Sequence, residues 1–294
     1  MSTRPVVVGI DDIEHSAHAV AAAAREAELR QAPLWLAHAY HRLPPATAGV
    51  MPGGDTPESA VRDAATALLA RAGTQVHAAH PDLDVHAYAM SGKPGPGLAD
   101  LAKDATLLVI GGRGRGGFTG MLLGSTALST VAHTHCPVLV VRGGTERPAA
   151  TGRVLVGVDV LEPTTGGDVL AFAFEEAALH GYDLHALHAW EDPSYLYPVA
   201  LGSVPRPQLN EMNAERRRRL DSLLAPWREK HPDIFVETQV LTGTPSRLLV
   251  DLSRLADLVV LGAQRHPDGA GVQAGGLAHA VLHHAHCPVV IVPE

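Results

Sequence analysis

The stretch that decides the fold is Leu107-Leu108-Val109-Ile110-Gly111-Gly112-Arg113-Gly114-Arg115-Gly116-Gly117, continued from Phe118 to Leu123 and into Gly124-Ser125-Thr126. Its first four residues are a short apolar run bounded by glycine, the pattern of a strand buried on both faces. Ala127 to His135 is helix-forming, and Ser125 is placed to cap it. The order is strand, glycine loop, helix. Glycines let backbone N–H groups approach an anion with no Cβ in the way, and a helix start adds unpaired amides and the positive end of its dipole. With Arg113 and Arg115 as counter-charge the stretch reads as a phosphate cradle, although a glycine run alone reads equally well as a surface loop. Its setting decides between them.

Upstream, Val6-Val7-Val8-Gly9-Ile10 is a β-branched run ending at Asp11-Asp12, a buried parallel strand delivering acidic groups at its carboxyl end. A helix over 15–29, a strand at Leu34 to Ala39, a Pro- and Gly-rich loop over 40–56, a helix over 58–72 and a strand over 85–90 follow. Ser91 to Gly97 then turns the chain into a helix over 98–103, and Pro137 to Val141 closes the unit as a fifth strand. Alternating strands and helices imply a parallel sheet covered on both faces.

Gly143 to Gly152 is polar and breaker-rich, and after it the pattern restarts. Val154 to Asp159 answers Val6 to Asp11, Leu187-His188-Ala189 answers Ala37-His38-Ala39, and Gly243 answers Gly92. Gly262 answers Gly111 and Cys287 answers Cys136, all at a nearly constant offset of about 150 residues. The expected organisation is a domain over 1–143, a linker over 144–152 and a second domain over 153–294. Each is a doubly wound, Rossmann-like α/β domain with a five-stranded parallel sheet. In such a sheet ligands sit outside the carboxyl ends of strands where the strand order reverses, so the ends of the first and fourth strands should flank the crevice.

Two near-matches carry less. Gly112-x-Gly114-x-x-Gly117 fits the dinucleotide pattern but follows the fourth strand, and Gly124-Ser125 lacks the lysine of a Walker A loop. The acidic turn Asp11-Asp12-Ile13-Glu14 would repel a phosphate, which places phosphates at the fourth strand's loop and leaves Asp11 for a ribose or base.

Gly111, Gly114, Gly124 and Ser125 spell G-x2-G-x9-G-[ST], and Val-Gly-Ile-Asp at 8–11, His38-Ala39, the Gly92 and Pro94 turn and His-Cys-Pro-Val at 135–138 accompany it. The chain resembles a tandem universal stress protein of the ATP-binding type, over both halves. The resemblance implies the strand order 3-2-1-4-5 and a nucleotide in the crevice, with Gly9 and Asp11 facing the adenosine, Ala39 and Ile110 lining the base, and Gly111, Gly114, Gly124, Ser125 and Thr126 holding ribose and phosphates. Asp12-Ile13 stands where the family often has Gly-Ser, a change expected to touch the loop more than the cradle. In the second repeat Arg265 stands at the place of Gly114 and Gly276 at that of Ser125, so that site is expected to be weak or empty; Asp159 there either serves a ligand or caps a turn.

The function this implies is an ATP-binding regulatory module in stress response, its cofactor ATP with or without Mg2+. The rival reading is a slow ATP hydrolase or nucleotidyl transferase in the same crevice, for which Asp12 and Glu14 are the nearby candidate bases, without a recognisable constellation. No catalytic residue is assigned.

Composition agrees with that class. Hydrophobic residues make up 46% and charged residues 18%, as in a globular chain, while aromatics at 4% leave the core to Val, Leu, Ile and Ala. A net charge of −8 with scattered basic residues excludes a nucleic-acid face, and no run approaches a membrane span of roughly 20 apolar residues. With no signal-peptide pattern the expected location is cytoplasmic. Cys136 and Cys287 do not suggest a disulfide, and the histidines around them lack metal-site spacing. Arg216 to Arg219 reads as a solvated helix face, and Trp35, Trp190 and Trp227 as packing residues. The fifth strands, Val138–Val141 and Val289–Val292, are edges in this topology, so a homodimer or a pairing of the two repeats through them is expected.

Overall fold

The computed structural model describes residues 4–40, 56–112, 123–142, 150–161, 166–192, 205–265 and 271–294. The chain forms two compact units, Met1–Thr145 with His266–Val272, and Glu146–Arg265 with Gln273–Glu294. The expected linker falls largely on residues 143–149, outside the described residues.

In the first unit the order is β1 (Val6–Gly9), α1 (Ile13–Leu29), β2 (Leu34–Tyr40), α2 (Pro57–Ala79), β3 (Val85–Ser91), α3 (Pro94–Leu101), β4 (Leu107–Gly111), α4 (Ser125–His133) and β5 (Val138–Val141). All pairings are parallel: β3 on β2, β2 on β1, β1 on β4, β4 on β5, the order 3-2-1-4-5. The sheet grows one way through β2 and β3, then reverses to β4 and β5. With right-handed crossovers the reversal sends α1 and α2 to one face and α3 and α4 to the other.

Burial follows the sequence. Val6, Val7, Val8, Leu108 and Val109 are fully buried, as continuous apolar runs in a two-sided sheet must be. Helix α1 meets the sheet through Ala19, Ala23, Ala24 and Ala27, small side chains at helical spacing that permit close approach. Trp35 packs on Tyr88 with ring centroids 4.7 Å apart.

The second unit repeats the plan as β6 (Arg153–Gly157), α5 (Gly167–His180), β7 (Asp183–Trp190), α6 (Arg206–Lys230), β8 (Val236–Thr242), α7 (Pro245–Leu252), β9 (Leu258–Arg265), α8 (Gly276–His284) and β11 (Val289–Pro293), with a two-residue strand β10 (Val272–Gln273) falling at the unit boundary before α8. Its parallel pairings, β8 on β7, β7 on β6, β6 on β9 and β9 on β11, give the same order. The core uses larger groups, with Phe174 fully buried and stacked on Trp227 at 5.8 Å.

Several local expectations change. Ser125 is the first residue of α4 and not its cap; Gly124 holds the cap position, with extended backbone and no side-chain bond. Helix α3 starts at Pro94, four residues earlier than expected, because proline suits the first turn of a helix, where its missing N–H costs no bond. The arginine run divides: Arg217 pairs with Asp221 at 3.4 Å and Arg218 and Arg219 with Glu215 at 2.7 and 3.0 Å on the solvated face. Arg216 leaves that face and lies 3.8 Å over the Trp190 ring, whose Nε1 donates to Asn213 at 2.8 Å.

Candidate functional site

The first crevice is set by the ends of β1 and β4. At Gly9 a Cβ would stand 2.8 Å from Leu98 Cδ1 and 3.4 Å from Ile110 Cγ2, so the Leu98 side chain would have to shift to admit one. One residue on, the Ile10 amide donates to Ala37 at 2.8 Å, while its carbonyl accepts the His38 Nδ1 proton at 2.7 Å. The Asp11 amide then donates to Ser16 Oγ at 3.0 Å, which turns the chain into α1. Ala39, two residues past the partner of Gly9 on β2, stands beyond the carboxyl end of β1.

On the other side Ile110 is buried, and the Gly112 amide donates to the Val141 carbonyl at 2.7 Å. The Gly124 amide donates to the Gly112 carbonyl at 2.8 Å. That bond brings the start of α4 to the end of β4. Ser125 and Thr126 form the first turn above a glycine cap that offers no side-chain acceptor, so the first α4 amides have no side-chain cap. Gly9, Asp11, Ala39, Ile110, Gly111, Gly124, Ser125 and Thr126 are thus gathered at one end of the sheet. Arg113, Gly114 and Arg115 lie outside the described residues.

Asp12 has a structural task. Its carboxylate caps α1, accepting the His15 amide at 2.8 Å on Oδ1 and meeting the His15 ring Nδ1 at 2.8 Å on Oδ2. Partial burial opposes its charge, and the His15 bonds outweigh that and hold its pKa below the ordinary carboxylate value. A carboxylate so engaged and so acidic is a poor general base at neutral pH.

The second crevice is a cavity of about 280 Å3 at the ends of β6 and β9, lined by Gly157, Asp159, Val169, His188, Ala189, Leu249, Leu261, Gly262 and Leu277 among others. Asp159 caps a turn, its Oδ1 accepting the Leu161 amide at 2.9 Å. His188, 3% exposed, donates from Nδ1 to the Val158 carbonyl at 2.9 Å, the counterpart of the His38 bond. Burial lowers its pKa and keeps the ring neutral, so Nε2 is an acceptor; it has no hydrogen-bond partner among the described residues. Arg265, expected to crowd this site, sends Nη2 toward the Pro293 carbonyl at 3.5 Å. The group that enters the crevice is Glu294, which sequence reasoning missed. Its carboxylate accepts the Gly166 amide at the start of α5 and lies against the Cα of Gly262, where a Cβ would come within 2.8 Å of Glu294 Cδ.

Cys136 and Cys287 are both buried thiols. Cys136 is buried beside Thr134, whose Oγ1 donates to the Cys136 carbonyl at 2.7 Å, and burial pushes the thiol up to about 11. His133 donates Nδ1 to the Ser129 carbonyl at 2.7 Å.

Two doubly wound α/β units, each with a crevice at the reversal between its first and fourth strands, define a tandem protein of the class that places ligands at the strand ends. The universal stress protein family model matches residues 2–142 and 151–293, and the chain belongs to that family. Universal stress protein Rv2623 of Mycobacterium tuberculosis (strain ATCC 25618 / H37Rv) is 33% identical over 305 residues, covering 100% of this chain and 97% of the relative. Universal stress protein Rv2005c of the same strain is 32% identical over 297 residues, 98% of this chain and 97% of the relative. In fold the chain is similar to a universal stress protein from Archaeoglobus fulgidus DSM 4304, with TM-score 0.66 and 17% identity, covering 99% of this chain and 96% of that one. Among the described residues no helix is long and apolar enough to cross a membrane.

Proposed function

We propose that this protein is a nucleotide-dependent regulatory module in stress response, and that its first crevice, in a domain spanning 1–143, binds an adenine nucleotide, ATP first among them. The observation that carries the reading is the Gly124 to Gly112 bond, which sets a helix start without a side-chain cap at the end of β4, next to the side-chain-free Gly9. Unpaired amides and a dipole end suit phosphate, while Asp11, Ala39 and Ile110 suit ribose and base. Any Mg2+ would come with the phosphates and water, since both Asp12 oxygens are engaged by His15. A cytoplasmic location and assembly through the fifth strands belong to the same reading.

The test is the nucleotide released on denaturing freshly purified protein, identified by chromatography and counted per chain, with Gly114→Ala and Ser125→Ala beside the parent. ATP in the parent and its loss in both variants is the expected result. No nucleotide, and none taken up on adding ATP, would end the proposal.

A further inference from the structure

In the second crevice the chain itself enters at the end of β9, beside Gly262 and the start of α5. Glu294 is held by its backbone, whose amide donates to the Ala263 carbonyl at 2.9 Å and whose carbonyl accepts the Arg265 amide at 2.9 Å, so β11 and β9 fix where its side chain points. That side chain supplies the cap that α5 lacks, because Gly166 at the cap position has no side chain to do so. Gly262, the counterpart of Gly111, makes room for this carboxylate: a Cβ would collide with Glu294 Oε2 and stand 2.9 Å from Val169 Cγ2.

What remains open is chemically one-sided. Asp159 and Glu294 are acidic acceptors, and no lysine or arginine lines the cavity among the described residues. The walls are apolar, from Val169, Leu249, Leu261 and Leu277. A volume of about 280 Å3 is just below the range of roughly 300–1,000 Å3 usual for drug-sized ligands. Such a space repels anions and rewards a compact apolar molecule that carries N–H and O–H donors.

We infer that Glu294 determines the specificity of the second crevice, which admits an uncharged nucleoside and refuses the nucleoside phosphates. The nucleoside part rests on the adenine-nucleotide reading of the first crevice; the exclusion of phosphate rests on Glu294 alone. Half-buried and beside Asp168, the carboxyl is pushed above its usual pKa, chiefly by desolvation, and a second negative group brought next to it would add to that cost.

Equilibrium dialysis with labelled ATP and labelled adenosine, on the parent, Glu294→Gln and Glu294→Ala, tests it. Glutamine keeps the shape and an acceptor for the Gly166 amide while removing the charge, and so guards against a variant that merely loses the cap. Expected is about one ATP and about two adenosine equivalents per parent chain, with a further ATP equivalent gained by both variants, its affinity higher than in the parent by roughly tenfold or more. A parent that binds no ATP, with variants that bind one, would remove the first-crevice reading and keep this one. Two ATP equivalents in the parent, no gain in the variants, a gain in Glu294→Ala alone, or a parent whose second crevice takes no adenosine would each overturn the inference.

Discussion

Asp12 and His15 form a closed pair at the start of α1: one carboxylate oxygen accepts the His15 amide and the other meets the His15 ring, both at 2.8 Å. The pair assigns the most acidic turn of the sequence to helix capping. Asp12→Ala should therefore cost stability, about 1 kcal/mol for loss of an N-cap, and leave nucleotide content and any background phosphate release unchanged. Because folding lowers the Asp12 pKa, its contribution is complete above the unfolded value and fades as pH falls through the folded one. The parent-to-variant difference in urea unfolding should hold down to about pH 4 and shrink below it. Phosphate release that vanished with Asp12→Ala while the fold persisted would instead favour the enzymatic reading.

His188 gives the second unit a pH dependence. Its pKa is lowered, first by desolvation and also by the Arg216 charge, against the opposing Val158 carbonyl and Asp159. The unfolded imidazole therefore takes up a proton at a higher pH than the folded one. The stabilisation is whole above about pH 6.5, the unfolded value, and is lost as pH falls through the folded pKa. His185, lowered by burial as well, adds to the same slope. In His188→Asn, whose side-chain amide can still donate to Val158, stability should fall less steeply as the pH drops below about 6.5. An unchanged slope by urea titration would show that His188 titrates alike in both states.

Arg216 and Arg217 are sequence neighbours with different surroundings. Arg216 lies 3.8 Å over Trp190, while Arg217 is paired with Asp221 at 3.4 Å in solvent. Arg216→Ala is expected to cost roughly 0.5–2 kcal/mol through the lost cation–π contact and its covering of Trp190. Arg217→Ala should stay within about 0.5 kcal/mol, as exposed helix pairs do. Chemical denaturation of the two variants side by side separates them.

The strands were legible because a sheet covered on both faces demands continuous apolar runs, and Val6 to Val8, Leu107 to Ile110 and Leu258 to Leu261 are such runs. The repeat was legible because Gly92 with Gly243 and Gly111 with Gly262 keep their spacing. Caps were read less well. Ser125 has the right chemistry for a cap, yet the Gly124 amide bond to Gly112 starts the helix one residue earlier than a serine cap would. Glu294 was beyond reach, since its contact with Gly166 spans 128 residues and depends on the register of β11 on β9. The one signal was indirect: Gly166-Gly167 opens a helix with no Ser, Thr, Asp or Asn at the cap, which leaves amides for some distant acceptor.

The glycines before α3 and α7 offer a test of how far the two repeats share one backbone. Gly92 has φ +132° and Gly243 φ +150°, conformations that side chains rarely adopt, and each donates its amide to the last residue of the second strand in its repeat, Tyr40 or Trp190, at 2.9 Å. Nothing lies within 4 Å of a Cβ built on Gly92, so Gly92→Ala should carry a conformational cost alone, on the order of 1–3 kcal/mol. At Gly243 the new methyl would stand 3.4 Å from Leu248 Cδ1, so Gly243→Ala should cost at least as much. Gly276, in the first turn of α8 with open space around its Cβ position and no positive φ, is the matched control. Gly276→Ala should be neutral or slightly stabilising, by up to about 1 kcal/mol, through a less flexible unfolded chain. Thermal or urea unfolding of the three variants decides it: equal tolerance at all three positions would mean that the positive φ values are not held in solution, and the shared turn would lose its physical basis.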